Sequence, residues 1–156
     1  MKNVSFVQLA ISVTLTLCFS CTQMPNAPSK KISPIDGNWE KVSTVINGKL
    51  TTPQRKPAEF KMFNDGYFSL IHYNDDGSSL GFAGAGVFEL NSNHYKETYK
   101  YAHDTTLIGA SVWFDWYMEG DTLVFTGFKK VILPDGTDVT KDWGGDTWVE
   151  KRVRAK

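Results

Sequence analysis

Glu97 is the residue of this sequence whose surroundings point most clearly to chemistry. It lies two residues from both Tyr95 and Tyr99, and Tyr101 continues the same alternation. Alternate side chains of a β-strand share a face, so an inward-facing Glu97 would lie among tyrosines. A buried carboxylate is costly unless it is paired or hydrogen-bonded. We therefore expect Glu97 to have a partner, which could be Arg55, a lysine, a tyrosine hydroxyl or a bound ligand.

The residues that could support catalysis are few. Glu97 and His72 would form an acid–base pair only if their side chains lay within about 3 Å of each other. Beyond residue 21 the sequence has no phosphate-binding loop and no cysteine nucleophile. His72, His94 and His103 lack helical spacing and a nearby cysteine. We predict no metal and no cofactor, and favour a role other than catalysis while an enzyme remains the third alternative.

Both cysteines lie where an apolar N-terminal segment ends. Lys2 is followed by residues 4–20, which carry no charge, and Cys18 and Cys21 stand at the end of this run. The run is short for a membrane-spanning helix and contains several polar residues, so it is typical of a secretory signal peptide over residues 1–20. The rest of the sequence contains no cysteine, so disulfides cannot contribute to the fold.

The pair Ser20-Cys21 resembles the processing site of bacterial lipoproteins, although the residues three and two before Cys21 depart from the usual pattern. The resemblance implies a lipid on Cys21 that attaches the protein to a membrane. No aspartate follows Cys21, which by resemblance to sorting signals implies the periplasmic face of the outer membrane. Residues 21–33 contain Pro25 and Pro28 and are predicted to be a tether, followed by one domain over residues 34–156.

Composition excludes several classes of partner and fold. Seventeen basic residues balance 17 acidic ones, so no electrostatic field favours nucleic acid as a partner. The aromatic residues are 10 Phe, 6 Tyr and 5 Trp, and they accompany 13 Gly. This mixture is typical of β-sheets and their turns.

Short alternating segments separated by turn residues predict an all-β domain. The turns are short, so consecutive strands are expected to be antiparallel neighbours in an up-and-down arrangement. Such a sheet of eight or nine strands closes most simply into a barrel, which removes its exposed edges; a sandwich would need long crossovers. The predicted strands are 39–46, 58–63, 67–73, 81–90, 94–102, 111–118, 122–128, 130–133 and 147–153.

The turn Asn64-Asp65-Gly66 predicts the register of the first hairpin. Read as a three-residue loop, this turn pairs Met62 with Phe68 and Phe60 with Leu70, and it leaves Lys61 on the outer face. The register therefore predicts an apolar inner wall for this part of the barrel.

The turn Glu119-Gly120 predicts the register of a second hairpin. As a two-residue loop it pairs Trp116 with Leu123 and Phe114 with Phe125. Together with the strand around Glu97, the two hairpins predict a cavity wall. Its members are Phe60, Met62, Phe68, Leu70, His72, Glu97, Tyr99, Phe114, Trp116, Leu123 and Phe125.

Gly37-Asn38-Trp39 at the first predicted strand resembles the Gly-x-Trp signature of lipocalin-like domains of the calycin superfamily, in particular those of small Bacteroidetes-type lipoproteins. In that family the tryptophan closes one end of the barrel beneath an arginine of the last strand. The resemblance implies this role for Gly37 and Trp39, with either Arg152 or Arg154 as the cation. It implies a barrel and a cavity, but no particular substrate.

Two main functional hypotheses follow. The first is a lipid-anchored binding protein of the cell envelope that holds a small apolar or amphipathic ligand. The second is a periplasmic interaction or inhibitor module with a filled barrel and an exposed patch formed by Trp113, Tyr117 and Trp143. The segment around Trp143 and Trp148 is either a plain connection to the last strand, with Trp148 as its first core residue, or a lid or partner-binding loop that carries Trp143 at the barrel mouth.

Overall fold

The computed structural model describes residues 33–53, 59–74 and 77–156, all of which belong to one unit, residues 31–156. The predicted signal peptide, Cys21, nearly all of the tether and Arg55 lie outside the described residues. Within the described ranges, no helix is long and apolar enough to cross a membrane.

In the described part of the chain, nine β-strands form one antiparallel sheet in which consecutive strands are neighbours, except that β1 separates β2 from β3. Strand β1 also pairs with β9, so eight strands close into a barrel and β2 extends β1 outside the closure. The predicted all-β, up-and-down barrel is thus confirmed. The strands are β1 Gly37–Ile46, β2 Lys49–Thr51, β3 Glu59–Asn64, β4 Tyr67–Tyr73, β5 Leu80–Asn91, β6 His94–Ala102, β7 Ser111–Glu119, β8 Thr122–Ile132 and β9 Val149–Arg154.

Two strands differ from the prediction. Strand β2 forms because Asn47 and Gly48, with φ of 52° and 74°, make a tight turn that folds the chain back on β1. The segments predicted as separate strands at 122–128 and 130–133 are one strand, β8. Gly127 has a φ of 60°, and the pairing of β8 with β7 shifts register there, opposite Phe114. The strand continues beyond this bulge, so Gly127 does not end it.

The register of the β3–β4 hairpin corrects the predicted inner wall. Asp65 and Gly66 have φ of 55° and 79°, as in a two-residue type I′ turn, so Phe63 rather than Met62 pairs with Phe68. A shift of one residue exchanges the faces of a strand. The side chains of Phe60 and Met62 therefore lie on the outside of the barrel, and their predicted place on the cavity wall was wrong. Glu59, Lys61 and Phe63 face inward instead.

The β7–β8 hairpin also differs from the prediction, but without changing faces. Its two-residue turn is Gly120-Asp121, and Trp116 pairs with Phe125 instead of Leu123. This shift of two residues leaves each side chain on its predicted side, because the side-chain period of a strand is two. Leu123 and Phe125 are accordingly fully buried.

Strand β6 places Tyr95, Glu97 and Tyr99 in the interior, as predicted. Tyr101 breaks the alternation and is 73% exposed. The pairing of β5 with β6 shifts between Ala85 and Gly86, which leaves an additional residue in β6 before Tyr101 and turns this side chain outward.

One end of the barrel is closed by Trp39. Its side chain is fully buried, and its indole nitrogen donates a 2.7 Å hydrogen bond to the carbonyl oxygen of Ile35. The guanidinium carbon of Arg154 lies 4.0 Å from the centroid of the Trp39 ring, and Nη1 of Arg154 donates to the carbonyl oxygen of Asp36. Of the two arginines implied by the resemblance, Arg154 therefore covers the tryptophan.

Above this closure the interior is filled by aromatic rings. The rings of Tyr95 and Phe114 stack with centroids 4.7 Å apart, and Phe125 contacts both at 5.1 Å and 4.9 Å. Phe63 packs edge-on against Tyr95 at 6.0 Å. This aromatic layer separates the closed end from the ionisable side chains of the site.

Candidate functional site

A cavity of about 440 Å³ lies in the half of the barrel away from Trp39. Five residues of the predicted wall line it: Leu70, His72, Glu97, Tyr99 and Phe114. Four others belong to the core instead, since Phe68, Leu123 and Phe125 are buried in it and Trp116 packs against it. The remaining lining residues are Lys41, Thr44, Ile46, Glu59, Lys61, Phe82, Leu107, Phe128, Trp143, Trp148, Glu150 and Arg152.

The lining at the open end of the cavity is aromatic. The rings of Phe128 and Trp148 stack with centroids 4.2 Å apart, and Trp143 packs edge-on against Phe128 at 5.5 Å. Gly144 and Gly145 have φ of 103° and 50°, which turns the chain so that both tryptophans line the cavity. The segment before β9 thus brings Trp143 to the cavity, as in the lid alternative, while Trp148 is buried in the core, as in the plain connection.

Glu97 is held by three partners. Nζ of Lys61 lies 2.5 Å from Oε2 of Glu97, and the hydroxyls of Tyr95 and Tyr99 donate to its two oxygens at 2.7 Å and 2.9 Å. Burial raises the pKa of both tyrosines well above its ordinary value, and the negative charge of Glu97 adds to the effect. The predicted need for a partner is met by a lysine and two tyrosine hydroxyls, while Arg55 lies outside the described residues.

The ammonium of Lys61 is surrounded by aromatic rings. Cations are attracted to the faces of such rings at distances up to about 6 Å. Nζ lies 5.1–5.8 Å from the centroids of Phe63, Phe68, Tyr95, Phe114 and Phe125. These contacts and Glu97 together compensate for the loss of water around the buried charge.

A second ionic group centres on Arg152, which is 1% exposed. Its Nε donates to Oε1 of Glu150 at 2.5 Å, and its Nη2 donates to Oε1 of Glu59. Lys41 contacts the other oxygen of Glu59 at 2.6 Å, and Nδ1 of His72 lies 3.4 Å from it. Nη1 of Arg152 is buried and has no hydrogen-bond acceptor among the described residues.

The two ionic groups are balanced in formal charge. Three cations, on Lys41, Lys61 and Arg152, face three carboxylates lining the same cavity. Burial raises the pKa of Glu150 to about 7, and this effect outweighs the opposing attraction of the two lysines. Burial also lowers the pKa of Arg152 to about 9. Because this pKa is still above 7, the guanidinium is charged at neutral pH.

His72 and Glu97 both line the cavity but have different partners. Nδ1 of His72 lies beside Glu59, whereas both oxygens of Glu97 accept hydrogen bonds from Lys61 and the tyrosines. The proposed pair of Glu97 and His72 is therefore not formed. In the part of the chain that the structure describes, no group of three or more His, Cys, Asp or Glu side chains is arranged to hold a metal ion.

Sequence reasoning missed the second ionic group. Lys61 was predicted to face outward because one turn was read as three residues instead of two, and Glu59 lies on the same side of β3. Trp148, Glu150, Arg152 and Arg154 occupy every second position, and this period of two was a usable signal that they share one face. Lys41 lies two residues after Trp39 and shares its face, because the register of β1 shifts only after Lys41.

Comparison of the sequence with models of known protein families and with curated proteins found no match. The closed barrel of eight antiparallel strands is consistent with a lipocalin-like fold. The resemblance of this chain to lipocalin-like proteins is therefore supported at the level of the fold.

Proposed function

We propose that this protein binds a small amphipathic molecule in the barrel, with its apolar part against the aromatic mouth and its polar part at the ionic inner end. The observation that carries the proposal is the two-part lining of a single cavity. The volume of about 440 Å³ falls within the range of roughly 300–1,000 Å³ that small-molecule sites occupy. Charged groups inside a barrel are costly to bury, so their grouping at one end favours a role in ligand orientation.

The alternative of an interaction module with a filled barrel has less support. Trp143, which that hypothesis placed on an exposed patch, lines the cavity. Trp113 lies between two ammonium groups, those of Lys96 and Lys130, at 5.5 Å and 5.8 Å from its ring. Tyr117 is 48% exposed and remains the one large exposed ring of the three.

We further propose that the protein is a lipoprotein of the cell envelope, similar to small Bacteroidetes-type lipoproteins. The support is the apolar segment followed by Ser20-Cys21 and a tether. Radiolabelled palmitate fed to producing cells should enter the wild-type chain and not the Cys21→Ala variant. Incorporation that is unchanged in Cys21→Ala would overturn this part of the proposal, and fractionation of the membranes would test the outer-membrane location.

The binding function is tested with N-phenyl-1-naphthylamine, a neutral probe that fluoresces in apolar sites. Thr44 lines the cavity, and Val45, its neighbour in β1, faces the other side of the sheet. Thr44→Trp is expected to fill part of the cavity and abolish the saturable fluorescence increase. Val45→Trp is the matched control and should keep it.

Thermal unfolding establishes that both variants are folded before they are compared. Leu107→Trp, at the cavity mouth, replaces Thr44→Trp if the latter does not fold. Equal binding by the cavity variant and its control, or no binding by wild type, would contradict the proposal. Native mass spectrometry of protein from its own source provides an independent readout, the release of a bound small molecule on denaturation.

A further inference from the structure

Arg152 offers a hydrogen-bond donor that the described residues do not use. Two of its nitrogens are bonded to Glu59 and Glu150, while buried Nη1 has no acceptor among the described residues. Burying a guanidinium donor without an acceptor lowers the stability of the folded state by about as much as the loss of a hydrogen bond to a charged group. Because Arg152 lines the cavity, an acceptor on a bound molecule would satisfy this donor.

The charge balance of the cavity limits what that acceptor can be. Among the described residues that line the cavity, the cations of Lys41, Lys61 and Arg152 balance the three carboxylates when all are ionised, and an added anion would leave one uncompensated negative charge. Burying an uncompensated charge is strongly unfavourable. An anion can therefore bind well only if one carboxylate becomes neutral at the same time.

Glu150 is the carboxylate best placed to become neutral. Glu59 is bonded to both Lys41 and Arg152, whereas the partner of Glu150 among the described residues is Arg152. Because burial raises the pKa of Glu150 to about 7, its protonation at neutral pH requires little free energy. Once Glu150 is neutral, Glu59 is the one carboxylate that pairs with both Lys41 and Arg152 among the described residues. The group of Lys41, Glu59, Glu150 and Arg152 then has a net positive charge.

We propose that the inner end of the cavity binds a singly charged oxyanion, ordinarily a carboxylate, at Nη1 of Arg152, and that Glu150 takes up one proton as the anion binds. This inference rests on the binding function proposed above and adds the class of head group to it. The proton comes from solvent and moves to the Glu150 carboxylate, so that one negative charge enters and one is neutralised. No bond of the ligand is made or broken.

Other titratable groups face the same region and are part of the test. They lie on five different strands of the barrel. They are Lys41 on β1, Glu59 and Lys61 on β3, His72 on β4, Tyr95, Glu97 and Tyr99 on β6, and Arg152 on β9.

The experiment uses titration calorimetry with 1-octanesulfonate, octanoate and 1-octanol between about pH 6 and pH 8.5. The sulfonate stays ionised throughout, so any proton taken up goes to the protein. We expect both anions to bind more weakly as the pH rises, approaching about tenfold in Kd for each pH unit above about 7. Octanol should bind with a Kd that does not depend on pH.

Glu150→Gln mimics the protonated side chain and is the decisive variant. It should bind octanesulfonate as tightly as wild type does at low pH, with a Kd that no longer changes with pH. Glu89→Gln is the matched control on the exposed outer surface and should keep the wild-type dependence. If Glu150→Gln does not fold, the heat of binding to wild type in buffers of different ionisation enthalpy gives the proton uptake, which we expect to approach one per anion above about pH 7.5.

Persistence of the pH dependence in Glu150→Gln, or no proton uptake by wild type, would overturn the inference. Binding of octanol and N-phenyl-1-naphthylamine without binding of either anion would also overturn it while leaving the proposed function intact. Failure of all these probes to bind would overturn both.

Discussion

Nζ of Lys61 lies 2.5 Å from Oε2 of Glu97, and both side chains are almost completely buried at the centre of the barrel. Each charge in this pair compensates for the other, and neither is stable there alone. The pair is also the point where the aromatic core meets the cavity, because Lys61 contacts the rings below it and Glu97 lines the space above.

We predict that Glu97→Gln lowers the free energy of unfolding by about 3–5 kcal/mol, because Lys61 is left as an unpaired buried charge. Lys61→Met should have a similar effect through unpaired Glu97. The double variant should be much less destabilised than the sum of the two, since no charge remains. Urea denaturation at neutral pH measures all three, and additive effects of the single substitutions would contradict the predicted coupling.

Gly37 is predicted to be required by Arg154. Gly37 has a φ of +124°, and a Cβ added there would overlap Nη1 of Arg154. Gly120 also has positive φ, but an added Cβ meets nothing within 4 Å. Gly120→Ala should therefore cost only backbone strain, about 1–2 kcal/mol, while Gly37→Ala should cost additionally about 1 kcal/mol from displacement of the guanidinium from Trp39.

Thermal and urea denaturation compare the two glycine variants. In an Arg154→Ala background the extra cost of Gly37→Ala should disappear, because no guanidinium remains to be displaced. An extra cost that persists in that background would show that Arg154 is not its cause.

The β3–β4 register predicts opposite responses at neighbouring positions. Phe63 is buried among the aromatic rings, whereas Met62 is 39% exposed on the outer face. Phe63→Ala should lower the free energy of unfolding by about 3–5 kcal/mol, while Met62→Ala should cost less than about 1 kcal/mol. The reverse order in urea denaturation would support the three-residue turn and exclude the observed register.

Glu150 is predicted to make stability depend on pH. Its pKa is about 7 in the folded protein against an ordinary value of 4.5, so the folded state holds the proton more tightly. The resulting stabilisation is fully present below about pH 4.5 and is lost as the pH rises to about 7, at a slope of up to about 1.4 kcal/mol per pH unit. Above about pH 7 the contribution should be constant.

The measurement for Glu150 is the difference in unfolding free energy between wild type and Glu150→Gln across this pH range. The substitution removes the titrating group, so other ionisable residues largely cancel in the difference. The free energy of unfolding of wild type minus that of Glu150→Gln should fall between about pH 4.5 and pH 7, and a value that stays level or rises over this range would contradict the raised pKa.

The sequence by itself determined the β class, the order of the strands and the inward position of Glu97 between two tyrosines. These features depend on alternation and turn residues within short segments, which act locally. The position of Trp39 at the closed end was also predictable from its motif, though not which arginine covers it.

Only the tertiary structure decided which charges enter the barrel. Alternation assigns residues to two faces but does not say which face is inside, and the β3–β4 turn, one residue shorter than expected, brought Lys61 inward. The bond between Glu59 and Arg152 joins residues 93 positions apart and exists because β1 pairs with β9 when the barrel closes. Such pairing depends on the closure of the whole sheet, so local patterns could place single charges on a face but could not predict which of them meet.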